Sequence, residues 1–150
     1  MESLKVVVFK INNEEYAIDI MDVDRILGYV ECTKIPDTSS FIKGIIDYQN
    51  TILPVINTKA RFYIENTNYT DDSKIIVVRS NNNLIGLSVD EVLEVVDIFL
   101  EKIDDTPHIA KRSSNKYIKS IINKDNRLII LLDTKEIISQ ADLKAIGEVL

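Results

Sequence analysis

The sequence predicts an all-β protein of two small β-barrels closed by a short C-terminal helix. Three observations predict it. Short β-branched runs recur at regular spacing and end in Asn- or Asp-bearing turn signals. Helix signals are few, and the firmest is the capping-box-like start Ser139-Gln140-Ala141-Asp142. Above all, the chain is internally repeated, the first thing to look for in a sequence of short strands.

The repeat lies in two ordered blocks. Val6 to Leu27 falls on Ile75 to Val96 at a constant spacing of 69 residues, so that VVVFKINNEEYAIDI matches IIVVRSNNNLIGLSV. Phe41 to Phe62, FIKGIIDYQNTILPVINTKARF, falls on Tyr117 to Ile138, YIKSIINKDNRLIILLDTKEII, at a spacing of 76. Ile42, Lys43, Ile45, Ile46, Asn50, Thr58 and Lys59 recur as Ile118, Lys119, Ile121, Ile122, Asn126, Thr134 and Lys135. The seven extra residues of the second copy fall around Lys111 to Asn115.

In chain order, Leu4 to Ile11 reads as a strand and Tyr16 to Ile20 as its hairpin partner across Asn12-Asn13-Glu14. Ile20, Val23, Ile26 and Leu27 are spaced for a helical turn, although the later part could start a strand. Gly28 to Ile35 reads as extended up to Pro36, and residues 37–40 as loop. Two apolar runs then flank the turn Asp47 to Asn50. Pro54 has no N–H, so the second of these strands should be an edge, a strand start or a bulge there. Glu65 to Lys74 is polar and reads as a mobile connector. The second copy repeats the plan with strands at 74–79, 84–89 and about 91–99 and the 117–138 hairpin, and Asp104 to Pro107 stands where Thr33 to Pro36 stood. Leu143, Ile146, Val149 and Leu150 give the closing helix one apolar face. The chain is therefore expected to be a single domain over 1–150. Subdomain 1 spans about 6–62 with the helix 139–150, and subdomain 2 spans about 74–138.

Composition narrows the function. A chain of 150 residues buries roughly 70% of its extended surface. The 24 acids and 18 bases give a net charge of −6 with no basic stripe, which disfavours nucleic acid and anionic membrane as partners. No apolar run approaches the roughly 20 residues that span a bilayer, so a cytoplasmic protein without membrane insertion is the expectation. Cys32 is the only cysteine and His108 the only histidine, too few for a Cys/His metal site or a supported Cys-His pair. Four glycines, Gly28, Gly44, Gly86 and Gly147, form no phosphate loop or nucleophile elbow. The acidic pairs Asp22/Asp24, Asp71-Asp72 and Asp104-Asp105 lack calcium-loop spacing. No cofactor and no enzymatic chemistry are expected. Protein binding remains. Val23, Ile26 and Leu27, with their repeats Val92, Val95 and Val96, are either core or the lining of a seam that receives a partner helix.

These residues also carry a resemblance. FKINNEEYAIDIMDVDRILGY, then IPDTSSFIKGIIDYQNTILPVINTKARF, then SVDEVLEVVDIFLEKIDDTP and YIKSIINKDNRLIILLDTKEII resemble the CheW family of bacterial chemotaxis coupling proteins, from about Val6 to Ile138. The resemblance implies two SH3-like five-stranded β-barrel subdomains. It implies a non-enzymatic adaptor linking chemoreceptors to the regulatory domain of the histidine kinase CheA, recruited in the cytoplasm to membrane receptor arrays. It places Val23, Arg25, Ile26, Gly44, Gln49 and Asn50 on a first-barrel surface that meets the kinase. It places Leu27, Val92, Val95 and Val96 in a groove that meets the cytoplasmic tip of a methyl-accepting receptor.

The chain departs from the family pattern at three places. Asp47-Tyr48-Gln49-Asn50 replaces Asn-Leu-Arg-Gly, Arg25 replaces a glutamate, and Ser120 replaces a glycine. Gln cannot supply the bidentate fork of an arginine, whereas Asn still tolerates a left-handed turn. A divergent module that serves another signalling system, or binds receptors without recruiting kinase, is the second reading. An OB-like nucleic-acid binder is a third, with neither basic groove nor tryptophan to support it.

Overall fold

Four tight turns set the strand pattern. Asn12-Asn13, Gln49-Asn50, Asn81-Asn82 and Asp125-Asn126 all have positive φ at both residues, between 49° and 73°. Paired left-handed residues make two-residue hairpin loops whose twist matches that of the strands, and an Asn closes every one of them. The computed structural model describes residues 2–36, 41–62, 64, 69–105, 116–137 and 144. The expected helix over 139–150 apart from residue 144, His108, the 37–40 loop and the insertion at 111–115 lie outside the described residues.

The first copy supplies β1 (Ser3–Ile11), β2 (Glu14–Asp19), a 3-10 turn (Ile20–Asp22), β3 (Val23–Gly28), β4 (Ile42–Tyr48), β5 (Thr51–Ile56) and the short α1 (Thr58–Arg61). The second supplies β6 (Lys74–Ser80), β7 (Asn83–Val89), β8 (Glu91–Phe99), a 3-10 turn (Leu100–Lys102), β9 (Ile103–Asp105), β10 (Ile118–Lys124) and β11 (Arg127–Leu132). The segment after Gly28 is irregular rather than a continuous strand, and pairs through one bridge, Thr33 to Ile45. Its repeat is β9, where Asp104 faces Ile121 in the matching register.

The strands form a six-stranded sheet, β8-β1-β2-β11-β10-β9, and a five-stranded sheet, β3-β6-β7-β5-β4. Strand pairing runs across the division at 6–62 and 74–138. Neither barrel is built from one copy. Each copy lends its leading hairpin to the other: β1–β2 pairs with β8 and β11, and β6–β7 pairs with β3 and β5. The exchange explains why VVVF and IIVV are apolar at every position. Val7 and Phe9 point into the central cluster, together with Ile76 and Val78. Val6 and Val8 fill the first-sheet barrel, and Val77 fills the second. Strands covered on both faces read as continuous apolar runs.

Bulges recur with the repeat. Register shifts leave Asp24 and Leu93 unpaired on β3 and β8, and Lys43 and Lys119 on β4 and β10. Pro54 pairs with Ile45 of β4, while the β5–β7 ladder begins only at Val55, so the missing N–H falls where β5 has one neighbour. A stack of rings, Phe9, Tyr16, Phe62 and Tyr117, crosses the central cluster with centroids 4.7–6.0 Å apart. Arg61 lies over Tyr117 and donates from Nε to the Ile137 carbonyl at 2.6 Å.

The described part of the connector, residues 69–74, has contacts that its polarity does not suggest. Tyr69 stacks on Tyr29 with centroids 4.9 Å apart, its hydroxyl is 2.7 Å from Ser88 Oγ, and Ser73 is buried. Lys43 and Lys59 both place Nζ over the Tyr69 ring.

Candidate functional site

β3 and β4 are the two edges of the five-stranded sheet. Where their ends face each other, Arg25, Leu27, Ile46, Asp47, Tyr48 and Gln49 line a groove of about 450 Å³, continued by Tyr29 and Val30. Its floor is apolar, because Leu27 and Ile46 pack on buried Tyr48, Leu53 and Val77. Its rim carries exposed Arg25 and Asp47. Gln49 and Asn50 form the turn at one end, both in the left-handed region, with φ 50° and 63°.

Asp24 holds the two edges together. The Tyr48 hydroxyl donates to Asp24 Oδ2 at 2.6 Å, and Arg79 Nη2 on β6 donates to Asp24 Oδ1 at 2.8 Å. Arg79 Nη1 also reaches the Met21 and Val23 carbonyls, both at 3.4 Å, which fixes the start of β3. The hydrogen bond to the Asp24 carboxylate, followed by burial, pushes the Tyr48 phenol above its ordinary value. No motif in the sequence pointed to Asp24, Tyr48 and Arg79 as a unit. The repeat held the signal: Asp24 falls on apolar Leu93, and Tyr48 falls on Lys124.

The residues matched by resemblance do not all fall together. Arg25, Gln49 and Asn50 lie at the groove and its turn. Gly44 is buried with φ +155°; a Cβ there would meet the Thr33 carbonyl oxygen at 2.4 Å and Cys32 Cβ at 2.8 Å, so this glycine admits the Val30–Ile35 backbone. Leu27 belongs to the β3–β4 groove and not with the β8 residues. Ile26 and Val23 face the other way: their ladder partners Ile76 and Val78 lie in the central cluster, and Val23 packs on it. Val92 and Val95 are their counterparts on β8, paired with Phe9 and Val7 of the same cluster. Val96 pairs with Val6, inside the other barrel. Ile26 thus lies on the side of the central cluster and Leu27 at the β3–β4 groove. The bulge at Asp24 advances the strand by one residue, so Val23 and Ile26 share a side three apart, the spacing that reads as helical in the sequence. Ile26 is 37% exposed and Val95 50%.

The other barrel carries an equivalent groove of about 300 Å³, where Asn123, Lys124 and Asp125 replace Asp47, Tyr48 and Gln49. Lys124 Nζ closes this barrel onto Glu94 Oε1 at 3.1 Å, and Arg127 bonds Glu15 and approaches Glu94. Among the described residues, no group of three His, Cys, Asp or Glu side chains could hold a metal. No described helix is long and apolar enough to cross a membrane. Burial pushes the half-buried Cys32 thiol up.

Known proteins share this arrangement. The CheW-like domain family matches residues 5–142. The chain is 30% identical over 142 residues to the chemotaxis protein CheW of Klebsiella aerogenes, covering 95% of this chain and 86% of that one. It is 26% identical over 136 residues to the chemotaxis protein CheW of Bacillus subtilis, covering 91% and 87%. The crystal structure of the scaffolding protein TtCheW from Thermoanaerobacter tengcongensis superposes with a TM-score of 0.86 at 34% identity, over 94% of this chain and 96% of that one. These relatives are named for chemotaxis and scaffolding rather than for a reaction, and the chain is accordingly read as a non-enzyme. With the duplicated barrels, the Asn-closed hairpins and the match along nearly its whole length, the chain belongs to the CheW-like domain family.

Proposed function

We propose that this protein is a chemotaxis adaptor that couples chemoreceptors to CheA. The observation that carries the reading is the β3–β4 groove, an apolar floor flanked by exposed Arg25 and Asp47 and bounded by the Gln49-Asn50 turn. An apolar cleft with few rim charges suits docking of a folded partner domain, the charges selecting the partner and the floor supplying affinity. The groove takes the regulatory domain of CheA, through Arg25, Leu27, Gln49 and Asn50. The seam-facing apolar residues Ile26, Val92 and Val95 take the helical tip of the receptor, by helix-in-groove packing. Receptor binding brings the protein to the membrane array without insertion of its own.

A second reading is favoured by one observation: Arg25 and Gln49, two of the departures from the family pattern, line the same groove. Under it, the protein binds receptors and leaves the kinase unrecruited. The deciding experiment titrates the protein against the CheA regulatory domain and a receptor-tip fragment, separately and together. A ternary complex upholds the adaptor. Receptor binding with no kinase binding upholds the second reading, and binding to neither overturns both.

A further inference from the structure

Among the described residues, β3 and β4 face each other across the groove with no ladder between them, since the sheet order places them at opposite edges. The Thr33–Ile45 bridge ties the segment after β3 to β4, and Leu27 and Ile46 share the apolar floor. Side-chain bonds from Asp24 cross between the two strands as well. Its carboxylate takes the Tyr48 hydroxyl from β4 on one oxygen and Arg79 Nη2 from β6 on the other, at 2.6 and 2.8 Å. Three strands therefore meet at one side chain. The bulge makes this possible, because an extra residue in one strand re-aims its side chain out of the alternating pattern.

The repeat supplies an internal control. The bulged residue of β8 at the equivalent place is Leu93, and it packs on the apolar cluster inside its barrel. The fold therefore tolerates an apolar residue at this bulge. At Asp24 the chain instead has a charged group that is 25% exposed and fully engaged. A residue needed only to fill the barrel would be apolar, as its counterpart is.

We infer that Asp24 is a positioning residue for the partner groove: held by Tyr48 and Arg79, it fixes the distance and orientation between the Arg25–Leu27 face of β3 and the Ile46–Gln49 face of β4. The inference rests on the reading of this groove as the CheA surface for its affinity consequence, though not for its structural one. Charge-assisted hydrogen bonds are short and directional, which suits a positioning role better than dispersion contacts do.

The test uses the full chain and three variants. Tyr48→Phe keeps the ring and deletes the hydroxyl. Asp24→Asn keeps an acceptor for Tyr48 but loses the charge facing Arg79. Asp24→Leu installs the residue of the other copy. Backbone amide shifts are recorded for each variant, affinities are measured for CheA and for a receptor-tip fragment, and the Tyr48 phenol is titrated with a ring-carbon label. Tyr48→Phe and Asp24→Leu are expected to shift amides on both faces, 25–27 and 46–49. They should weaken CheA about tenfold and leave receptor affinity within about twofold, as no change falls on the seam-facing side. Asp24→Asn is expected to fall between these and wild type, with its Tyr48 phenol titrating closer to the ordinary range. Amide changes confined to the neighbours of the mutated atom would overturn the positioning role, as would wild-type CheA affinity in Tyr48→Phe. Should the wild-type protein not bind CheA, the proposed function fails by itself, and the amide and phenol readouts still decide the clamp.

Discussion

The Tyr48 hydroxyl sits 2.6 Å from Asp24 Oδ2, and this bond joins two strands that lie at opposite edges of their sheet. It also ties the barrel to alkaline pH. The hydrogen bond to the carboxylate raises the folded pKa of Tyr48 above the unfolded value of 10.0. The folded state therefore holds the phenolic proton more tightly than the unfolded state does. The stability from this bond is fully present below the unfolded pKa and lost as pH rises through the folded one. Spectrophotometric titration should show a phenol in wild type that ionises late and is missing from the late phase of Tyr48→Phe.

Two further tyrosines strengthen that trend. Burial pushes Tyr16 and Tyr69 up to about 12. Their sign is the same as that of Tyr48, so the melting temperature should hold up to about pH 10 and then fall between about 10 and 12. Tyr16→Phe should flatten that fall, since a ring without a hydroxyl has no proton to lose. An equally steep fall in the variant would show that other groups govern alkaline unfolding.

Gly44 predicts a backbone-limited substitution. A Cβ there meets the Thr33 carbonyl oxygen at 2.4 Å, and the neighbour that must move is main chain. The φ of +155° adds strain for any L side chain. Gly44→Ala should cost about 1–3 kcal/mol in urea denaturation and loosen the bridge between Thr33 and Ile45. The counterpart Ser120 carries a side chain and is buried, so Ser120→Ala should cost less, about 1 kcal/mol or below.

Much of the fold is legible in the sequence for local reasons. Asn tolerates positive φ, so Asn12-Asn13 and Asn81-Asn82 mark their hairpins unaided, and Pro54 announces a strand paired on one side. What is not legible is the exchange of leading hairpins. A repeat says which segments are alike, and says nothing about which copy a hairpin pairs with, because β1–β2 presents the same edges to either. The bulge at Asp24 hid the second feature. One extra residue turns a strand alternation into an i, i+3 pattern, so that Val23 and Ile26 share a side. Polarity does not reveal how residues 69–74 are held, because Tyr69 is anchored through its ring and the Ser88 bond.

Lys59 and Lys135 occupy equivalent positions in the repeat and opposite environments. Lys59 is 2% exposed, its Nζ 2.8 Å from Asp90 Oδ1, while Asp90 Oδ2 accepts the Asn12 backbone N–H at 2.7 Å. Lys135 is exposed. Removing one member of a buried pair leaves the other charge uncompensated, although Asp90 can partly rehydrate. Lys59→Met should therefore cost about 2–4 kcal/mol, whereas Lys135→Met should fall within about 0.5 kcal/mol of wild type. Equal effects in urea denaturation would contradict the assignment of Lys59 as the link between α1 and the Asn12-Asn13 turn.

Gln49→Arg tests the groove directly. Gln49 is exposed at the first position of a turn with φ 50°, so lengthening its side chain meets no packed neighbour and changes no turn requirement. Stability should stay within about 0.5 kcal/mol. The new guanidinium stands at the groove mouth with Arg25 and Asp47 and can donate a bidentate pair to a carboxylate, which Gln cannot. If the CheA regulatory domain presents an acid there, affinity rises several-fold, and the gain shrinks with added salt because the pair is at a solvated rim. A seam-side substitution, Val95→Asp, gives the converse result: exposed as it is, it should leave the CheA titration unchanged and weaken the receptor tip. An unchanged CheA affinity for Gln49→Arg at every salt concentration, with Val95→Asp weakening CheA instead, would move the kinase surface from the β3–β4 groove to the seam.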